Sequence, residues 1–182
     1  MTYRVAVVVG SLRKDSFNRH LANALAKLGA KDLEFVQVRI DDLPLYNQDD
    51  DQKQAEPVRR LKSEIAGAQG VLFVTPEYNR SIPGVLKNAI DNASRPYGQS
   101  AWAGKPAGVI GISIGAIGTA IAQQHLRTIL AYLDMPTLGQ PEMFIQNKPG
   151  FFDSEDTKKF LQKFLDRFAV FVKEHADKAA NR

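Results

Sequence analysis

The sequence predicts an α/β fold, a doubly wound parallel sheet of five strands in the order 2-1-3-4-5 with helices on both faces. Three observations lead there. Five short β-type runs alternate with five stretches whose apolar residues recur at three- and four-residue spacing, the pattern of strands separated by amphipathic helices. Runs such as Val5-Ala6-Val7-Val8-Val9 and Val109-Ile110-Gly111-Ile112-Ser113 are apolar without alternation, as expected of parallel strands buried on both faces. A length of 182 residues, 44% hydrophobic, is enough to cover one such sheet on both sides, so residues 1–182 are expected to form a single domain.

The elements follow in order. Val5 to Val9 is the first strand, and Leu21, Leu25 and Leu28 mark a first helix that Gly29 stops. Leu33 to Val38 alternates more and is expected near an edge. Asp41-Asp42 at its end resembles the acidic ribose ligand of a dinucleotide fold, but no Gly-x-Gly-x-x-Gly precedes it. Leu43 to Lys53 is expected to be irregular, with Asp49-Asp50-Asp51 solvated, because the spacing is not that of a calcium loop. Pro57, Val58, Leu61, Ile65 and Ala68 define a second helix. Val71 to Val74 is the third strand, and Ile82, Leu86, Ala89, Ile90 and Ala93 one face of a third helix. The Ser94 to Pro106 connection carries Arg95, Tyr97 and Trp102, which are suited either to covering a site or a partner subunit, or to packing beneath a loop. After the fourth strand, a helix carries Ala122, Leu126, Ile129, Leu130 and Leu133. Glu142 to Ile145 is a short fifth strand, and Asp153-Ser154 caps a last helix packed through Phe160, Leu161, Phe164, Leu165, Phe168, Phe171 and Val172.

Composition narrows the function. With no cysteine there is no disulfide, thiol nucleophile or thiolate metal site, so redox chemistry would have to come from a cofactor. His20, His125 and His175 fall singly on different helices, without metal-ligand spacing. The net charge of +4 is scattered and lacks the basic stripe of a nucleic-acid surface. No apolar run reaches the roughly 20 residues of a membrane span. Met1-Thr2-Tyr3-Arg4 has no leader-like pattern, so a cytoplasmic location is expected.

Three loops lie where this strand order opens a crevice, at the carboxyl ends of strands one, three and four. Gly10-Ser11-Leu12-Arg13-Lys14-Asp15-Ser16-Phe17-Asn18 ends at a helix N-terminus, where the dipole and free N–H groups favour an anion. Ser11, Ser16 and Asn18 add donors, and Arg13 adds a guanidinium suited to phosphate. Neither a Walker loop nor a dinucleotide fingerprint is present, which points to the terminal phosphate of a mononucleotide. Thr75-Pro76 and Ile82-Pro83 stiffen both ends of Pro76-Glu77-Tyr78-Asn79-Arg80-Ser81, a polar platform. Ser113 to Thr119 is softened by Gly115 and Gly118, which let backbone approach a ligand. A phosphate tail with a flat polar head fits these parts, and flavin mononucleotide (FMN) matches that description.

The first of these loops, the run Pro76-Glu77-Tyr78-Asn79-Arg80-Ser81-Ile82-Pro83-Gly84-Val85-Leu86-Lys87-Asn88-Ala89-Ile90-Asp91 and the tripeptide Gly104-Lys105-Pro106 resemble the flavodoxin-like NADPH-dependent FMN reductase family, nearest its bacterial chromate and quinone reductase branch. The resemblance implies that Ser11, Arg13, Ser16, Phe17 and Asn18 hold the FMN phosphate. It further implies that Pro76, Glu77, Tyr78 and Asn79 lie along the isoalloxazine, and that Ser113 and Gly115 close the pocket. The implied chemistry is hydride transfer from NADPH or NADH to flavin N5, then to a flat acceptor such as a quinone, with chromate, azo dyes and free flavins as further acceptors. No catalytic side chain and no metal is implied. The family assembles as homodimers or homotetramers, and Arg80, Arg127 and Glu142 are candidate substrate or interface residues. The chain departs from many relatives at Asn92, where an aromatic residue is common, and within Ile114 to Thr119. The alternative is a flavodoxin-like electron carrier that binds FMN without oxidising nicotinamide; such carriers are usually acidic, against the +4 charge here.

Overall fold

The structure is a computed structural model and describes residues 2–180. Five strands, β1 (Tyr3–Val9), β2 (Leu33–Gln37), β3 (Gly70–Val74), β4 (Ala107–Ser113) and β5 (Phe144–Gln146), pair in parallel in the order β2-β1-β3-β4-β5. The helices are α1 (Phe17–Leu28), α2 (Glu56–Ala66), α3 (Gly84–Ala93), α4 (Ala120–Tyr132) and α5 (Glu155–Ala180). The expected sheet order is the observed one. The fifth strand lies two residues later at its start than the sequence suggested, so Glu142 precedes it. Gln48–Lys53, expected to be irregular, forms a short 3-10 helix that Asn47 opens by accepting a hydrogen bond from Asp49 N. No helix among the described residues is long and apolar enough to cross a membrane.

Successive strand residues point to opposite faces, and both faces are covered, which is why the central runs are apolar throughout. Ala6, Val8, Val71, Phe73 and Val109 pack with Leu61, Ile65, Leu86, Ile90, Leu126 and Leu130 of α2, α3 and α4. Val5, Val7, Leu72, Val74, Ile110 and Ile112 pack with Leu21 and Leu25 of α1 and Leu161, Phe164, Leu165, Phe168 and Val172 of α5. Burying each large apolar side chain contributes about 1.5–3 kcal/mol, so these two layers dominate stability. Two of the aromatics expected in the α5 core sit further out: Phe160 is exposed and Phe171 is partly buried against the His175 ring.

The connections beside the site are fixed by polar ties. After β2, the Arg60 guanidinium donates to both oxygens of Asp42 at 2.7 and 2.8 Å, and holds that carboxyl below its usual range. Asn92 is buried and donates to Pro44 O at 3.1 Å and Asn88 O at 3.0 Å, anchoring the post-β2 loop on α3. Trp102 belongs to the core: it is fully buried, donates from Nε1 to Ile90 O and lies against Phe73. Tyr97 in the same connection is 85% exposed, so the two aromatics of that loop have opposite fates.

Candidate functional site

The loops after β1, β3 and β4 meet at the carboxyl edge of the sheet because β1, β3 and β4 are adjacent strands. The first contact between them is steric. A Cβ on Gly10 would lie 2.6 Å from Thr75 Oγ1, and one on Gly111 only 2.1 Å from Thr75 O, so glycine alone lets the three segments approach this closely.

In the β1 loop, Ser16 is the extended N-cap of α1 and its Oγ accepts from Arg19 N at 3.4 Å. The buried Ser11 Oγ accepts from Arg13 N, also at 3.4 Å. The first turn of α1 has no acidic residue, and the N–H groups of Phe17 and Asn18 find no acceptor among the described residues. The Arg13 guanidinium sits 5.2 Å from the centre of the Phe17 ring and pairs with no carboxylate among the described residues. A positive helix end with free donors and an unneutralised guanidinium fits an anion. Asn18 differs from its expected role: its side chain is buried, with Nδ2 donating to Ile112 O at 2.9 Å and Oδ1 accepting from Ile112 N at 3.1 Å. The amide is engaged with β4, and what Asn18 has left for a ligand is its backbone N–H.

The platform after β3 is a tight turn. Tyr78 N donates to Ser81 O and Ser81 N to Tyr78 O, each at 3.0 Å, with Asn79 at φ 51° and Arg80 at φ 66°. Paired bonds around two left-handed residues make a type I′ turn. The N–H groups of Asn79 and Arg80 have no acceptor among the described residues. Glu77 also differs from expectation. Its side chain is only 7% exposed, and Oε2 accepts from the N–H groups of Ile121 and Ala122, at 3.0 Å each, in the first turn of α4. Thr119, the N-cap residue of α4, makes no capping bond, and its hydroxyl instead accepts from Gln123. The cap therefore comes from another loop, 44 residues away in sequence.

In the β4 loop, Ser113 Oγ donates to Gly118 O and accepts from Gly115 N, so it shapes the loop from within. Gly118 has φ 61°, and a Cβ there would come within 2.6 Å of the Phe144 and Ile145 backbone. Gly115 leaves open space, bordered by Ser113 Oγ at 3.6 Å. Ile114 and Ile117 are exposed beside it.

Between platform and β4 loop lies an open cleft of about 270 Å³, lined by Glu77, Asn79, Arg80, Ser113, Gly115 and Gly118 with the two isoleucines. The donors, the polar turn and the apolar wall fit FMN. Arg127 and Glu142 do not line the cleft. They face each other loosely at 3.8 Å, and Arg127 donates to Leu138 O at 2.7 Å. Burial pushes the Arg127 guanidinium below its ordinary value, with Glu142 opposing. Sequence reasoning missed His125, whose Nδ1 lies 3.1 Å from Ser81 Oγ at the back of the platform. A lone histidine on a helix carries no signal for this. The pairing emerges only when Glu77 docks the platform on α4.

The family model described as NADPH-dependent FMN reductase matches residues 3–150. A 2-hydroxy-1,4-benzoquinone reductase of a Burkholderia species is 56% identical over 180 residues, covering 96% of this chain and 98% of that protein. A quinone reductase of Pseudomonas putida is 51% identical over 177 residues, covering 94% and 95%. The solved structure of FerB, a flavoenzyme NAD(P)H:(acceptor) oxidoreductase from Paracoccus denitrificans, superposes with a TM-score of 0.92 at 47% identity, covering 96% of this chain and 99% of that one. The chain belongs to the NADPH-dependent FMN reductase family.

Proposed function

We propose that this chain, as a single FMN-binding domain, is an oxidoreductase that oxidises NADPH or NADH and reduces quinones. The observation that carries the reading is the meeting at one sheet edge of the α1 N–H groups with those of Asn79 and Arg80, all without an acceptor among the described residues. Relatives named quinone reductase, 51–56% identical over nearly their whole length, support an enzyme over an electron carrier. When bound, FMN supplies a ring able to accept a hydride from nicotinamide and hand two electrons to an acceptor.

The protein's own part is binding and orientation. Ser11, Arg13, Ser16 and the N–H groups of Phe17 and Asn18 hold the phosphate. The backbone of Pro76, Glu77, Tyr78 and Asn79 carries the ring, and Ser113 and Gly115 keep the facing wall low. The free N–H groups of Asn79 and Arg80 favour negative charge at the ring edge. Overall, NAD(P)H, one proton and a quinone give NAD(P)⁺ and a hydroquinone, with the proton drawn from solvent and no side-chain acid required. Chromate, azo dyes and free flavins are proposed as further acceptors.

The test is an anaerobic visible titration of FMN-loaded protein. NADPH or NADH is expected to bleach the flavin bands, and 1,4-benzoquinone to restore them, with the other acceptors compared in the same cell. Bands that neither nucleotide changes would rule the reading out in favour of a carrier.

The chain is further proposed to act as a homodimer or homotetramer. Tyr97 and Tyr132, 85% and 82% exposed, flank one cleft at the C-terminal end of α4 and offer two aromatic side chains to a second copy. Arg127 and Glu142 are proposed to brace α4 behind that face. Light scattering is expected to give two or four chains per particle, and a monomer at micromolar concentration would refute it.

A further inference from the structure

Arg80 occupies a position that the backbone reserves for glycine. The second central residue of a type I′ turn has positive φ, ideally about 90°, and is ordinarily glycine, because a Cβ is strained there. At φ 66° Arg80 accepts that strain, and a side chain kept at such a position points to a task. The guanidinium lines the cleft beside Ile114 and Ile117 and is 67% exposed. Its Nη1 forms an ion pair with Glu77 Oε1 at 3.4 Å, which restrains its direction, while its Nε and Nη2 find no acceptor among the described residues. Glu77 is the only carboxylate among the described residues lining the cleft. The opening therefore pairs an apolar wall with a guanidinium that keeps N–H donors free for a ligand oxygen.

Resting on the reductase reading above, we propose that Arg80 is a specificity-determining residue favouring acceptors whose ring carries an ionised oxygen, such as hydroxyquinone anions, over neutral quinones. The isoleucines take the ring and the guanidinium takes the oxyanion. The acceptor anion gains a hydride equivalent and two protons from solvent and leaves as a neutral trihydroxyarene, because reduction turns its acidic enol into an ordinary phenol with a pKa of about 10. NAD(P)H supplies both electrons.

The experiment compares 2-hydroxy-1,4-naphthoquinone, an anion at neutral pH, with 1,4-naphthoquinone, using FMN-loaded wild type, Arg80→Gln and Arg80→Gly. In both variants the ratio of KM for the anion to KM for the neutral quinone is expected to rise about tenfold, one hydrogen-bonded charge pair. Calorimetric binding of the anion without nucleotide should weaken in step, and added salt should weaken it in wild type only. Arg80→Gly should melt no lower than wild type, since glycine relieves the turn, which separates recognition from folding. A ratio unchanged within about twofold, or a loss confined to NADPH or to FMN affinity, would overturn the assignment. Wild-type protein inert toward both quinones would instead overturn the reductase reading on which it rests.

Discussion

Glu77→Ala is expected to lower the melting temperature of the FMN-free protein by about 5–15 °C, on a loss of about 2–4 kcal/mol. Two N–H groups in the first turn of α4 accept no substitute from Thr119, whose hydroxyl already belongs to Gln123. Each is a charge-assisted bond to a carboxylate that is 7% exposed, and such bonds contribute about 1.5–3 kcal/mol apiece before solvent replaces part of them. The same substitution unties the platform from α4 and releases Arg80 from its partner. FMN affinity should consequently fall at least about tenfold, because the ligand must then order what the protein no longer holds. Glu77→Gln keeps an acceptor oxygen and loses the charge, so roughly half of the stability loss is expected. Thermal melts and fluorescence titration with FMN read the two effects separately. An alanine variant that melts within about 2 °C of wild type would show that the cross-loop cap contributes nothing.

That bond also marks where sequence reasoning stops. Strand order and buried runs were legible because a sheet covered on both faces forces apolar residues through the buried stretches of β1, β3 and β4, a pattern local enough to read directly. The three loops were legible as a set because strand order alone decides which loops share an edge. What each polar side chain does was not. Glu77 looks like a ligand in a polar loop, and its side chain caps a helix. Asn18 stands in the anion loop and turns inward to β4, while Ser113 folds back on Gly118. In each case the partner is a backbone group, for Glu77 and Asn18 on an element distant in sequence, and backbone N–H and C=O groups are the same in every residue. Trp102 and Tyr97 were equally inseparable, since burial depends on which of two loop aromatics reaches Ile90 O. Arg80 was legible as a polar residue, yet the strain that singles it out is a dihedral angle.

Asn18→Ala is expected to cost about 2–5 kcal/mol and to act on folding first. The side chain satisfies both the N–H and the C=O of Ile112, a residue 1% exposed near the end of β4, in a region water does not reach. Each buried backbone group left without a partner carries a penalty of about 1–3 kcal/mol. Asn18→Asp should be at least as harmful, because a carboxylate accepts from Ile112 N but repels Ile112 O and is desolvated besides. Arg13→Ala supplies the contrast. Its guanidinium rests on the exposed side of Phe17 and holds no buried group, so urea melts of the FMN-free protein should match wild type within about 0.5 kcal/mol. Its effect should fall on FMN binding, weakened about tenfold or more by loss of one charged contact to phosphate. The two variants thus separate what supports the anion loop from what touches the anion. Urea midpoints and FMN dissociation constants, measured on both, decide the matter. If Asn18→Ala kept wild-type stability and lost only FMN affinity, the side chain would be a ligand after all, and its bonds to Ile112 would have to be exchanged when phosphate binds.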